Sequence, residues 1–188
     1  MKKIGITGSL ASGKTTASKY LSLKKGPLFS ADDVVKNLYK KKGFQISIAK
    51  KFNLKSISNL KKNLKKKILE NTSNIKKLEK IIHPLVRKQM KNFIKKNKKR
   101  KLIFLEIPLL IESKLMSNFD IIFFIKAKKN IRLRRFCSKG GNKKLFHILN
   151  KKQFSDTRKA KYCDYTVVNE KNFKILRRNL LGILKRYE

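Results

Sequence analysis

Eight residues near the amino end, Gly8-Ser9-Leu10-Ala11-Ser12-Gly13-Lys14-Thr15, set two glycines five positions apart and follow the second with lysine and threonine. Glycines at that spacing let a backbone curl so that successive N–H groups face one anion. A helix starting at the second glycine adds the positive end of its dipole. Lysine then reaches the β- and γ-phosphates of a nucleotide, and the threonine hydroxyl ligates Mg²⁺. The spacing fits the P-loop pattern G-x-x-x-x-G-K-[ST]. The pattern names phosphates and leaves the acceptor open, since ATPases, GTPases, helicases and small-molecule kinases share it. No N-K-x-D guanine motif occurs, and 188 residues are short for a helicase with its further motifs. Small-molecule kinases remain.

Such a loop needs a strand to enter it and a helix to leave it. Residues 2–7 are apolar and end at the glycine turn, and Ala17, Tyr20 and Leu21 recur at helical spacing after it. Gly26-Pro27 ends that helix, and "PLFSA" reads as a second strand, with Asp32 and Asp33 placed to cap the helix "DDVVKNLYK". From Phe44 to about Lys101 the pattern is helical, with a break or restart expected at His83-Pro84. "KLIFLE", "DIIFFI" and "YTVVN" complete five strands, and Phe173, Leu176, Leu180, Leu184 and Tyr187 mark a last amphipathic helix. Strands alternating with helices predict a parallel five-stranded sheet wrapped by helices, an α/β fold of the P-loop NTPase type. One domain over residues 1–188 is expected, carrying a helical insertion at about 44–101.

Composition excludes little. Lys and Arg total 51 against 11 acids, a formal charge of +40. That suggests a nucleic acid or an anionic surface. Yet the excess is mostly lysine, accompanied by many Asn, Ile and Phe, all of which have A/T-rich codons. The runs at 40–42 and 95–101 contain no aromatics on which bases would stack. A solvated surface set by composition is the expectation, with no specific nucleic-acid partner and no membrane. No apolar run reaches the roughly 18 residues of a membrane span, and the first residues do not read as an export signal, so a cytoplasmic location is expected. Cys137 and Cys163 lie in no metal-ligand spacing and are expected to be packing residues.

Further segments follow in unbroken order: "SADDVV", "IIHPLVRK", "LEIPLLIESKL", "RLRRF" and "KQFSDTRKAKYCDYTVVN". With the opening segment they resemble the dephospho-CoA kinase family over nearly the whole chain. "HPLV" and "IPLLIE" are more specific than the glycine loop. The resemblance implies ATP and dephospho-CoA as substrates, phosphorylation of the 3′-hydroxyl to give coenzyme A, Mg²⁺ as cofactor, an acceptor-binding role for the insertion, and a lid at about 138–158.

The resemblance also assigns residues. Gly8 and Ala11, Ser12, Gly13, Lys14, Thr15 and Thr16 line the ATP phosphates, with Thr15 on the metal. The family's D-A-D element falls on Ser30, Ala31 and Asp32. Serine cannot serve as a carboxylate base, so Asp32 is the candidate to orient the acceptor hydroxyl, with Asp33 as the alternative and simple helix capping as the competing role for both. Glu106 is a candidate for a Mg²⁺-bound water or the acceptor, or else a rim ion pair. Pro108 and Leu109 form the acceptor wall, with Glu112 fixing their loop. His83 either binds the acceptor or caps a helix. Arg135 and Lys159 are the cations expected to close over ATP from the lid, Arg135 being held on an apolar face by Leu133 and Phe136. Two other functions stay open on residues alone: a kinase for a nucleoside or nucleotide, and a nucleic-acid-dependent ATPase.

Overall fold

The computed structural model describes residues 1–23 and 25–187. Its strands are β1 (Lys2–Gly8), β2 (Leu28–Ser30), β3 (Leu102–Glu106), β4 (Ile121–Lys126) and β5 (Tyr165–Val168). The helices are α1 (Lys14–Ser22), α2 (Ala31–Leu38), α3 (Lys42–Lys51), α4 (Leu60–Glu70), α5 (Ser73–Lys96), α6 (Lys129–Cys137), α7 (Lys143–Lys151), α8 (Asp156–Ala160) and α9 (Phe173–Leu184). The chain divides into two compact units, Ala31–Asn92 and the remainder.

In the larger unit every strand pairing is parallel and the order is β2-β3-β1-β4-β5. Parallel strands are covered on both faces, so their sequences run as continuous apolar stretches instead of alternating. "LIFLE" and "IIFFI" do so, and every one of these residues is buried. Ile4, Ile6, Phe104, Phe123 and Ile125 join one core with Ala17 and Leu21 of α1 and Leu176, Leu180 and Leu184 of α9. Ile103, Leu105, Ile122 and Phe124, which alternate with these along the strands, are buried too. β1 lies at the centre of the sheet, so the loop that follows it springs from the most rigid part of the fold.

The smaller unit is helical, from α2 through most of α5. Its core gathers Ile48, Ala49 and Phe52 of α3 with Leu60 and Leu64 of α4, and Tyr39, Phe44, Leu78 and Ile81 pack around them. The break expected at His83-Pro84 is absent. α5 runs unbroken for 24 residues with Pro84 inside it. A proline there removes one i→i−4 hydrogen bond and crowds the preceding turn, at a cost of about 3 kcal/mol. Burial of Ile75, Ile82 and Met90 along one stripe of the helix offsets that cost and carries it through.

Candidate active site

The loop between β1 and α1 is built from two exceptional glycines. A Cβ at Gly8 would lie 2.4 Å from the carbonyl oxygen of Ile125, because β1 and β4 approach closely where the loop begins. Gly13 has φ 96°, a left-handed value, and a Cβ there would meet Asn169 Nδ2 at 2.2 Å. Between them Ala11 also takes positive φ, 58°, which is uncommon for a residue with a side chain. The backbone therefore alternates its hand through the loop, as an anion-binding curl requires.

Gly13 is also the N-cap of α1 and offers no side chain to cap it. The same unit caps α7, α8 and α9 with Asn142, Ser155 and Asn172, each accepting a backbone N–H, while α6, like α1, starts without a side-chain cap. The first N–H groups of a helix have no carbonyl partner within it. Leaving α1 without a side-chain acceptor suits a helix end meant for an external anion.

Polar side chains tie the loop down from outside. Ser12 C=O accepts from Asn169 Nδ2 at 2.8 Å and from Arg135 at 3.4 Å, and Arg135 also donates to Asn169 C=O at 3.0 Å. Leu10 C=O accepts from Arg132 at 3.3 Å, while Leu10 N–H donates to Gln153 Oε1 at 2.8 Å. The Ser9 hydroxyl donates to Asp156. Lys14 is nearly buried and its ammonium donates to Ser9 C=O at 3.2 Å.

Glu106, the last residue of β3, is fully buried. Thr15 Oγ1 donates to its Oε1 at 2.6 Å and Ser18 Oγ to its Oε2 at 3.1 Å. A buried carboxylate is costly unless it is hydrogen-bonded or holds a cation. Thr15 itself is an exposed residue, and its hydroxyl stands beside a buried carboxylate. Both are hard oxygen donors, and Mg²⁺ takes one or two of these alongside substrate phosphates. The residues present fit that ion. Ser30, which departs from the family's aspartate, stands opposite Glu106 in the β2–β3 register. Of those two positions, Glu106 is the one that bears a carboxyl group.

The remaining candidates separate. Pro108 and Leu109 are half-buried, and the Pro108 carbonyl accepts from Thr7 Oγ1 at 3.1 Å, which fastens their loop to β1. Lys159 corrects the expected lid cation. It is fully buried, with its ammonium 2.9 Å from Glu112 Oε1 though poorly aligned for a hydrogen bond, and Phe154 N–H donates to the same oxygen at 3.0 Å. Arg135 likewise engages loop and post-β5 carbonyls; Leu133 and Phe136, expected to anchor it, are half-buried, and the buried residue on α6 is Arg132. Burial pulls the Arg132 guanidinium below its ordinary value, against the pull of Asp156.

In the helical unit, Asp32 and Asp33 occupy the first turn of α2 rather than its cap. Asp33 pairs with Lys36 at 2.7 Å on an exposed face. His83 lines an open cavity of about 420 Å³ with Lys76, Glu79, Lys80, Pro84 and Arg87. Burial lowers its pKa and Arg87 adds to this, while Glu79 opposes it. His83 is therefore predominantly neutral at pH 7.

Sequence reasoning gave no role to Arg132, Asp156 and Asn169, although the segments "RLRRF" and "KQFSDTRKAKYCDYTVVN" contain them. One signal was present: with only 11 acids in the chain, any acid is informative. Among the described residues of the larger unit, Glu106, Glu112, Asp120, Asp156, Asp164 and Glu170 each accept a specific hydrogen bond.

Burial, reinforced by Asp164 and Glu112 against Lys159, pushes the Cys163 thiol up to about 12, whereas Cys137 is exposed. Iodoacetamide acts on thiolate. At pH 8 it should label Cys137 and spare Cys163 in the folded protein, as read by peptide mass spectrometry. Comparable labelling of both would contradict this packing.

A parallel sheet with the glycine loop at its centre, an uncapped helix start and a threonine beside a buried carboxylate define a P-loop nucleotide-binding protein of the kinase type. The family model for dephospho-CoA kinase matches residues 2–174. A dephospho-CoA kinase of Bartonella quintana is 33% identical, with 98% of this chain and 97% of that protein covered. The chain belongs to the dephospho-CoA kinase family. Solved structures share its fold. TT1252 from Thermus thermophilus has a TM-score of 0.77 at 22% identity, covering 100% of this chain and 98% of that one. A dephospho-CoA kinase from Campylobacter jejuni has a TM-score of 0.65 at 20% identity, covering 100% and 97%.

Proposed function

We propose that this protein transfers the γ-phosphoryl group of ATP to the 3′-hydroxyl of dephospho-CoA, yielding ADP and coenzyme A. The observation that carries the reading is the uncapped start of α1 behind the Gly8–Thr15 curl, next to the Thr15–Glu106 pair. Phosphoryl transfer asks a protein mainly for alignment and positive charge. The curl and the first turn of α1 hold the phosphates of ATP through Gly8 and Ala11–Thr16. Lys14 leaves the Ser9 carbonyl and meets the β- and γ-oxygens. Thr15 and Glu106 would hold Mg²⁺, which supplies charge neutralisation between the phosphates when bound.

Asp32 orients the acceptor hydroxyl and takes its proton late in transfer. His83, neutral at pH 7, serves the acceptor as a hydrogen-bonding group, and Pro108 and Leu109 shape the wall it touches. Arg135, bonded to Ser12 C=O, adds positive charge beside the loop. The helical insertion carries acceptor binding, residues of about 138–158 act as the lid, and the reaction runs in the cytoplasm. No helix among the described residues is long and apolar enough to cross a membrane.

The charge supports a small-molecule reading over a polynucleotide one. Residues 31–92 hold 18 Lys and Arg against 4 acids, and the rest of the chain holds 33 against 7. Positive charge is thus spread along the whole chain at similar density, and specific nucleic-acid binders concentrate it.

Purified protein with Mg-ATP should be offered dephospho-CoA, adenosine, nucleoside monophosphates and DNA, with products read by mass. The expected result is one phosphoryl group added to dephospho-CoA alone. Phosphate appearing on a nucleoside or nucleotide, or DNA-stimulated ATP hydrolysis without a phosphorylated product, would overturn the proposal.

A further inference from the structure

We propose that Gln153 and Asp156 are positioning residues that set the conformation of the phosphate-binding loop and, through it, the place of Lys14. The role rests on the ATP reading above.

A trans peptide unit holds its C=O and N–H on opposite sides of one plane. Fixing either group therefore aims the other. Gln153 Oε1 holds Leu10 N–H at 2.8 Å, so the carbonyl of the same unit, that of Ser9, is directed the other way. That carbonyl is where Lys14 Nζ rests at 3.2 Å and where Ser12 N–H bonds at 3.1 Å. Gln153 thus sets the ledge on which the phosphate-binding lysine sits. Asp156 fixes the same residue from its side chain by accepting from the Ser9 hydroxyl. On the next unit Arg132 holds Leu10 C=O and sends Ala11 N–H in the opposite direction. Arg132 is in turn fixed by Asn150 Oδ1 at 2.8 Å and Ala127 C=O at 3.0 Å.

The clamp has a conformation to maintain. Ala11 sits at φ 58°, and a residue with a side chain persists there only when its surroundings determine it. Gln153 and Asp156 supply those surroundings from more than 140 positions along the chain. Nothing in the eight-residue motif accounts for them.

The test compares full-length wild type with Gln153→Ala, Asp156→Ala and Asp156→Asn. The KM for ATP, the KM for dephospho-CoA, the melting temperature and the exchange rate of the Leu10 amide are measured for each. Gln153→Ala should raise the KM for ATP about tenfold, equivalent to about 1.4 kcal/mol. It should leave the KM for dephospho-CoA within twofold and speed Leu10 exchange at least about tenfold. Asp156→Ala should raise the same KM about fivefold. Asp156→Asn should restore it to near the wild-type value, because its amide oxygen still accepts from Ser9. An unchanged KM for ATP in both alanine variants of an active enzyme would overturn the positioning role alone. So would a parallel rise in both KM values with a large fall in melting temperature, which marks a merely structural effect. A wild type that does not phosphorylate dephospho-CoA at all would overturn the ATP reading, and this role with it.

Discussion

Replacing Lys14 with alanine should lower kcat about a thousandfold. The lysine is the cation the fold places within the loop itself, nearly buried and resting on the Ser9 carbonyl at 3.2 Å. A group held that way turns from the Ser9 carbonyl to the phosphates on binding, and is then preorganised for charge that develops on the γ-phosphoryl oxygens during transfer. Removing one such preorganised donor costs about 10²–10³ in rate in other enzymes, and a full charge bridging two phosphates stands at the upper end. A thousandfold loss corresponds to about 4 kcal/mol of transition-state stabilisation. Lys14→Arg should not rescue it. The planar guanidinium is larger than an ammonium, and the side chain at this position is buried. Steady-state kinetics at saturating ATP and dephospho-CoA checks both variants. A kcat within tenfold of wild type for Lys14→Ala would contradict the assignment.

Asp32→Asn should lower kcat by about 10²–10³, within the range that a positioned general base supplies, and leave the KM for ATP within about twofold. The substitution keeps the shape and one acceptor oxygen but removes the negative charge and the ability to accept a proton. The neighbouring carboxylate provides the control. Asp33 pairs with Lys36 at 2.7 Å, with both side chains more than half exposed, and a surface pair of that kind contributes at most about 1 kcal/mol. Asp33→Asn should therefore stay within about twofold of wild type in kcat. If Asp33→Asn shows the large loss and Asp32→Asn does not, the base has been assigned to the wrong residue of the pair.

The parts of the site that could be read from the chain are those whose geometry is local. Gly8, Gly13, Lys14 and Thr15 are joined by a few bonds, so spacing alone fixes what they can do together. Five strands were readable because a parallel sheet buries both faces and leaves uninterrupted apolar runs such as "LIFLE". What escaped depends on distant pairing. Gln153 meets Leu10 across 143 positions and Arg132 meets Leu10 across 122, and no periodicity encodes either contact. Lys159 misled for a related reason. A lysine in a lysine-rich chain reads as a solvated cation, and only the fold shows it buried against Glu112. Pro84 misled because the apolar stripe through Ile75, Ile82 and Met90 reads as interrupted by the proline, whereas its burial on both sides outweighs the local penalty.

The central claim is that the main-chain amides of one loop hold the nucleotide's phosphates, and backbone amide chemical shifts during titration with Mg-ATP test it most directly. The account predicts saturable shifts concentrated at the amides of Ala11 through Thr16, reversed when Lys14→Ala weakens binding. Saturable ATP binding that leaves those amides unmoved and shifts others instead would contradict it.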